Sequence, residues 1–244
     1  MEKILLYFSV KYHGDWDKIY EAIHNKETID IVLLKKLEKK YEGKYISILD
    51  DKYPEGLRHI SRAPFILYYE GNLDLLNTKK GIWPLSALPL KPEEIEDSYK
   101  KFKKNDLTIV NGYSSTYERQ LVEHYKENMI IVKDGGIFNT LVITKELQEK
   151  FIKNNNLILT EYPGFTVPSR ENWVNSNRIK IGLSNSLVLL SSIKEKNLWS
   201  IITNTANNGK EVYCLYDNNS KDNINNQLIE NGAMGVTDLT EIKY

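Results

Sequence analysis

The sequence predicts an α/β fold in which a mostly parallel, doubly wound sheet follows a small helical N-terminal segment. Three observations predict it. Between residues 107 and 216, apolar runs of strand length alternate with segments of helical periodicity, the pattern of parallel strands joined by crossover helices. Residues 1–45 carry mainly helical spacing. Hydrophobic residues make up 41% of the 244, enough to build a sizeable core and to set the chain apart from disordered sequences.

The elements follow in order. Ile4, Leu5, Phe8 and Tyr12 recur at helical spacing, Asp15 caps a second helix with Ile19, Ala22 and Ile23 on one face, and Asp30 precedes Leu33, Leu34 and Leu37. So small a bundle needs a larger body to pack on. YISIL (45–49) and FILYY (65–69) are strand-like, separated by the turn signals Asp50-Asp51 and Tyr53-Pro54. GIWPLSALPLKP (81–92) reads as a Pro-rich connection, and a charged helix occupies 93–104. Strands near 107–111, 129–133, 157–160, 186–191 and 211–216 then alternate with helices at 116–127, 143–154, about 174–182 and 198–208, and QLIENGA (227–233) forms a final helix and turn. Two parts result: a helical segment over 1–45 and a sheet domain over 46–244. Ligands of such sheets bind outside the carboxyl ends of the strands, which directs attention to the loops 111–116, 133–139, 160–170 and 191–197.

Composition excludes several function classes. Lys and Arg number 33 against 33 Asp and Glu, so the excess positive charge that drives nonspecific nucleic-acid binding is missing. The single cysteine, Cys214, lies in the apolar run EVYCLY; no disulfide framework exists within the chain, and a buried core thiol in a reducing, cytoplasmic setting is expected. No apolar run approaches the roughly 20 residues of a spanning helix, and MEKILLYFSVKYHGDW lacks a cleavage site of the secretory type. There is no Walker motif, no G-x-G-x-x-G and no G-x-S-x-G elbow. His13, His24, His59 and His124 are scattered, without ligand spacing to Cys or carboxylates. A binding protein without catalytic residues, metal or cofactor is expected.

Five segments in consistent order carry a family resemblance. ISILDDKYPEGLRHISRAPFILYYEGNLDLL (46–76) presents Tyr53-Pro54, Leu57, Pro64, Leu67, Tyr68 and Gly71. LTEYPGF (159–165), NRIKIGLS (177–184), SIITNTANNGKEVYCL (200–215) and NNQLIENGAMGV (225–236) follow. Together they resemble the DprA/Smf family of DNA-processing proteins. The resemblance implies a Rossmann-like, non-catalytic protein that binds single-stranded DNA, forms a homodimer and helps load a RecA-type recombinase during natural transformation. It further implies a homodimer contact through the helix near 198–208 and the segment 211–236, with Leu198, Trp199 and Ile202 as apolar candidates.

Against the family pattern, the Gly-Ser-Arg whose Arg meets DNA phosphate corresponds here to GIWPLSALP (81–89), with no basic residue, and Ser-Gly-x-Ala-x-Gly-Ile-Asp corresponds to NGYSSTYERQL (111–121), with Glu118 nearest to the Asp. Ser176 replaces the first Arg of Arg-Asn-Arg, and Lys180 replaces an Ile. The remaining DNA-contact candidates are Arg178, Lys180, Arg170, Trp173, Asn177 and Gly112. Arg178 is expected at a helix start, where dipole and free N–H groups favour phosphate; its alternative is an ion pair with Glu161. Lys180 and Arg170 add charge or are simply solvated. Trp173 stacks on a base or lids the core. Gly112, with Asn111, Gly135 and Gly136, marks turns at strand ends that cradle a ligand or only turn the chain. The alternative function is a degenerate relative that binds a nucleotide or other small ligand, or acts only through protein contacts.

Overall fold

The structure, a computed structural model, describes all residues except 42, 78–79, 125, 218–221 and 243–244. Three helices open the chain: α1 (Glu2–Lys11), α2 (Trp16–His24) and α3 (Ile31–Lys40). Asp15 accepts from the Lys18 amide at 3.2 Å, and Asp30 accepts from the Val32 and Leu33 amides at 2.8 and 3.0 Å. Each thereby satisfies first-turn donors that lack an intrahelical partner. The strands are β1 (Lys44–Ser47), β2 (Ile66–Gly71), β3 (Gly81–Ser86), β4 (Thr108–Asn111), β5 (Met129–Val132), β6 (Leu157–Thr160), β7 (Ser186–Ser191), β8 (Glu211–Leu215) and β9 (Met234–Val236). Between them lie α4 (Glu55–Arg58), α5 (Pro92–Lys104), α6 (Thr116–His124), α7 (Lys145–Lys153), α8 (Arg170–Leu183), α9 (Lys196–Asn207) and α10 (Asn225–Glu230). The expected end of the helix over 116–127 includes residue 125, outside the described residues.

All nine strands form one sheet, in the order β1-β2-β6-β5-β4-β3-β7-β8-β9. The pairings from β6 across to β9 are parallel. β2 runs antiparallel to β6, and β1 antiparallel to β2. The fold is therefore mixed α/β with a mostly parallel central sheet and flanking helices, consistent with a Rossmann-like arrangement. The five expected core strands are present within a residue or two at their ends.

Among the elements not expected from the sequence are α4, β3 and β9. α4 and β9 are short. β3 is the more telling, because it occupies the middle of the sheet within a stretch that reads as a connection. Pro84 disguised it, since proline is confined mostly to edges and bulges. β3 meets β4 only at Gly81 and Ile82, whereas its pairing with β7 runs from Ile82 to Ser86. Pro84 thus lies where β3 and β4 have already parted, and its missing N–H interrupts no bond between them.

Strand side chains alternate between the two faces, and the core divides accordingly. Ile82, Ile109, Ile131, Ile158 and Val188 meet Phe102 of α5, Leu121 of α6 and Phe151 of α7, with Leu5 and Leu6 of α1 in the same cluster. On the other face, Val110, Ile130 and Leu159 meet Leu57 of α4 and Ile179 of α8, and Trp83, Leu187 and Cys214 meet Ile181 of α8, Ile201 of α9 and Leu228 of α10. Each such side chain contributes roughly 1.5–3 kcal/mol by leaving water. α1 thus finds its larger body: it packs on β1 and β2. Cys214 is fully buried, and burial pushes its thiol up to about 12.

α8 is held tightly. A Cβ on Gly182 would collide with Leu57, and a Cβ on Gly56 with the Gly182 carbonyl, so this glycine pair lets α4 lie directly against α8. At the end of α8, the Lys210 ammonium donates to the carbonyls of Ile181 (2.7 Å), Gly182 (3.1 Å) and Ser184.

Four buried tyrosines make a pH prediction. Burial raises the pKa of Tyr53, Tyr68, Tyr117 and Tyr162 above the usual value, whereas in the unfolded chain they ionise near about 10. A folded-state pKa raised above the unfolded value gives stability that is complete below about pH 10 and is lost as pH rises towards the folded pKa. In an alkaline titration the last fraction of tyrosinate absorbance, from these four, should therefore appear together with the loss of circular dichroism. Complete ionisation of the 16 tyrosines, these four included, well before unfolding would contradict this.

Candidate nucleic-acid interface

Five of the six sequence candidates, Arg170, Trp173, Asn177, Arg178 and Lys180, lie on α8, and Gly112 lies in the loop after β4; those on α8 do not share one side of the helix. α8 begins at Arg170, and Ser169 caps it by accepting from the Asn172 amide at 3.1 Å. Arg178 is therefore in the second half of the helix, and the expectation that it stands at a helix start is corrected. The first-turn position belongs to Arg170, which is exposed. The sequence break at Pro163-Gly164 and Pro168 concealed the true start, because the capping Ser169 immediately follows a proline.

Arg178 makes the ion pair that was its alternative. Its Nη1 and Nη2 donate to the two oxygens of Glu161 at 2.6 and 2.5 Å, Nη1 also to the Asn175 carbonyl at 2.7 Å, and Nε to the Arg62 carbonyl at 2.8 Å. The Glu161 side chain is 5% exposed and that of Arg178 18%. Burial opposes the guanidinium charge, yet the facing Glu161 carboxylate holds its pKa above the usual value. A fork-to-fork pair of this kind is the strongest geometry open to arginine. It joins α8, the loop after β6 and the chain just after α4.

Helical periodicity puts Trp173, Asn177 and Lys180 on one stripe of α8, away from Arg178. This stripe faces the sheet. Lys180 is not solvated: its side chain is 1% exposed, with the ammonium 3.9 Å from Glu118 Oε1 and 4.9 Å from the centre of the Trp83 ring. Burial pushes its pKa down, against the pull of Glu118 and Asp134. Asn177 is buried, and its Oδ1 has no hydrogen-bond partner among the described residues. Trp173 is half-buried. Trp83 Nε1 and Asn111 Oδ1 are likewise buried without a partner.

Opposite this stripe, the loop after β4 turns into α6. Its amides converge on one carboxylate: Gly112 donates to Glu118 Oε1 at 3.2 Å, and Ser114 and Ser115 donate to Oε2 at 2.8 and 2.9 Å. The Ser115 hydroxyl in turn accepts from the Glu118 amide at 3.1 Å, completing a reciprocal capping box. A Cβ on Gly112 would stand 2.5 Å from Glu118 Oε1, so Gly112 makes room for the chain's own carboxylate. Gly135 and Gly136 serve a comparable end. The Gly136 and Phe138 amides donate to the carbonyls of Thr166 and Gly164 at 2.8 and 2.9 Å, and added Cβ atoms would strike the loop after β6.

Glu118 is the central residue that the sequence reading undervalued. The spacing Ser115-x-x-Glu118 was the available signal. Trp83, within the stretch GIWPLSALP, forms the ring under Lys180. Among the described residues no group of three or more His, Cys, Asp or Glu is placed to hold a metal ion, and no helix is long and apolar enough to cross a membrane.

Comparison with known proteins places this geometry in a family. Residues 44–244 match the family described as DNA recombination-mediator protein A. The DNA processing protein DprA of Streptococcus pneumoniae is 26% identical over 198 residues, covering 77% of this chain and 67% of that protein. The X-ray structure of DprA from Streptococcus pneumoniae superposes with a TM-score of 0.73 at 23% identity, covering 100% of this chain and 94% of the other. A structure of DNA processing protein A from Helicobacter pylori, whose subject is its single-stranded DNA binding mode, gives a TM-score of 0.69 at 18% identity, covering 82% of this chain and 94% of the other. With the match running through the whole sheet, from β1 to the end of the chain, the protein belongs to the DprA/Smf family of DNA recombination mediators.

Proposed function

We propose that this chain binds single-stranded DNA at the carboxyl edge of a doubly wound, Rossmann-like sheet, and through it serves recombinase loading of the RecA type in DNA uptake. Family membership supports the reading. The observation that carries it to this edge is Lys180 of the α8 stripe, whose ammonium lies 3.9 Å from Glu118, the carboxylate held by the amides of Gly112, Ser114 and Ser115. Trp173 offers a half-exposed aromatic surface for a base. Arg170, exposed in the first turn of α8, meets backbone phosphate beside free helix amides. Arg178 braces the loop after β6 through Glu161. Residues 1–45 are an accessory helical segment to the domain over 46–244.

Replacing Trp173 by Ala should weaken binding of a labelled oligothymidylate roughly 5- to 150-fold, the scale of one lost base stack. Fluorescence anisotropy at low salt measures it. Unchanged affinity with an intact circular dichroism spectrum would move the site elsewhere. Because net charge is zero, few phosphates are neutralised and the salt dependence should be shallow. One observation favours the second reading, a degenerate relative that binds another small ligand or acts only through protein contacts: the amides of the loop after β4 already hold Glu118. Absence of oligonucleotide binding by the unmodified protein at low salt would decide for it.

The homodimer is assigned to α9 and the segment 211–236, of which residues 218–221 lie outside the described residues. Trp199 is 43% exposed beside a groove of about 430 Å³ lined by Ile202, Val212 and Leu228, and an exposed tryptophan beside apolar neighbours is a frequent interface anchor. Light scattering should show a dimer, and Trp199→Glu should give a monomer. A monomeric unmodified protein at high micromolar concentration would refute the dimer.

A further inference from the structure

The chain as a whole balances 33 basic against 33 acidic residues, yet one surface helix does not. α3 carries four lysines and one glutamate. Lys35, Lys36 and Lys39 are exposed, and among the described residues none of the three meets a carboxylate. α5 shows the contrast: there Lys100, Lys101 and Lys103 have acidic partners at 3.5, 2.7 and 2.8 Å. Lys35 and Lys39 stand one turn apart, a like-charge spacing that destabilises a helix. Ahead of these lysines α3 opens with Ile31 and Val32, 63% and 80% exposed.

By helical geometry Ile31, Lys35 and Lys39 form one row, with Val32 and Lys36 in the row beside it. The opposite side carries Leu34 and Leu37, which pack against the cluster of Tyr7, Phe8 and Ile19. Packing on α1 thus explains one face of α3 and leaves the other without a partner. That outer face runs about 12 Å from Ile31 to Lys39, at roughly 1.5 Å per residue, and joins an aliphatic end to a cationic end. The helix dipole accounts for cations in the last turn. It does not account for Lys35 and Lys36, nor for the adjacent exposed pair Ile31 and Val32. A nucleic-acid backbone would be drawn to the lysines but gains nothing from the aliphatic end. A bilayer takes up the main apolar side of a helix, and in α3 that side, Leu34 and Leu37, is turned into the protein. A protein segment bearing carboxylates and an apolar side chain satisfies both ends.

We propose that the outer face of α3 docks an acidic segment of a partner protein, with carboxylates on Lys35, Lys36 and Lys39 and an apolar side chain over Ile31 and Val32. An extended chain advances roughly 3.3 Å per residue, so about four residues cover the face. The lysines supply attraction, and the aliphatic end sets the direction in which the segment lies. All these contacts are solvent-exposed, so the affinity is modest and falls with salt. α3 precedes the family match, which begins at residue 44, and the docking role does not depend on the DNA binding proposed above.

The probe is the peptide Asp-Asp-Asp-Asp-Leu-Phe, added at low salt to the isotope-labelled full chain and followed by NMR. Amide signals of residues 31–39 should shift saturably, with a dissociation constant of about 0.1–1 mM, the scale of a few exposed ion pairs and one apolar contact. Two control peptides, Asp-Asp-Asp-Asp-Ser-Ser and Ser-Ser-Ser-Ser-Leu-Phe, should each bind at least about 5-fold more weakly. The triple variant Lys35→Glu, Lys36→Glu, Lys39→Glu should lose binding about 10-fold or more. Its circular dichroism should be unchanged, because all three side chains are exposed. Ile31→Ser with Val32→Ser should lose roughly 3- to 10-fold for the Leu-Phe peptide and nothing for the Ser-Ser control. No saturable shift up to about 2 mM peptide, shifts that avoid α3, or unchanged binding by the folded triple variant would each overturn the proposal. So would equal binding of the Ser-Ser control, which reduces the face to plain charge attraction. A single-stranded oligonucleotide and vesicles of phosphatidylglycerol form the other arms, and neither should need the three lysines. Loss of oligonucleotide or vesicle binding in the triple variant would give the face to that polyanion and overturn the proposal.

Discussion

Replacing Arg178 by Ala is expected to destabilise the protein by about 3–5 kcal/mol, the cost of breaking a buried ion pair by removing one partner. The size follows from what is left behind. Glu161, 5% exposed, loses both of the guanidinium hydrogen bonds that compensate its charge. The Arg62 and Asn175 carbonyls lose donors as well. The exposed pair Lys11–Glu27, with side chains 37% and 30% exposed, belongs to a class worth only about 0.2–1 kcal/mol, so burial decides the difference. Arg178→Lys should recover only part of the loss, because a single ammonium cannot reproduce the bidentate fork. Urea denaturation measures all three. A midpoint for Arg178→Ala close to that of the unmodified protein would mean that Glu161 finds another partner and that the brace is dispensable. This prediction also warns against reading any loss of DNA binding in Arg178→Ala as a lost phosphate contact, unless the variant is shown to be folded.

The fold was legible where physics acts locally, and the site was legible only in part. Strand 129–132 is a four-residue apolar run and strand 157–160 a three-residue apolar run closed by Thr160, both bounded by polar turns, and burial on both faces leaves little other way to accommodate them. β3 was hidden because the exemption of Pro84 depends on where β3 and β4 diverge, a property of the assembled sheet. Trp173, Asn177 and Lys180 share a stripe by helical arithmetic alone. That Lys180 is buried follows instead from the neighbours brought to it by β3 and α6, about 97 and 62 positions earlier in the chain, which no local pattern encodes. Arg178 carried two open readings because Glu161 lies 17 residues away, within reach only once β6 and α8 are set side by side.

Glu118 and Lys180 face one another, yet their removal is expected to have unequal effects. Glu118 has independent support, from three backbone amides and the positive end of α6. Lys180 has no hydrogen bond among the described residues. Glu118→Ala strips three amides of their acceptor and leaves a buried ammonium without a counter-charge, at a cost of about 3–5 kcal/mol. Lys180→Met keeps most of the side-chain volume over Trp83 and removes a charge that burial disfavours. Against that gain stands the lost cation–π contact of about 0.5–2 kcal/mol, so the net change should stay within about 1 kcal/mol of zero. The double variant should be more stable than Glu118→Ala alone, because the unpaired ammonium is then gone. Chemical denaturation of the three variants in chloride buffer gives the comparison, and residues this close are expected to couple. If Lys180→Met proves as damaging as Glu118→Ala, the charge pair rather than the amide hydrogen bonds holds the loop after β4, and the view of Glu118 as an anion seated in a backbone cradle fails.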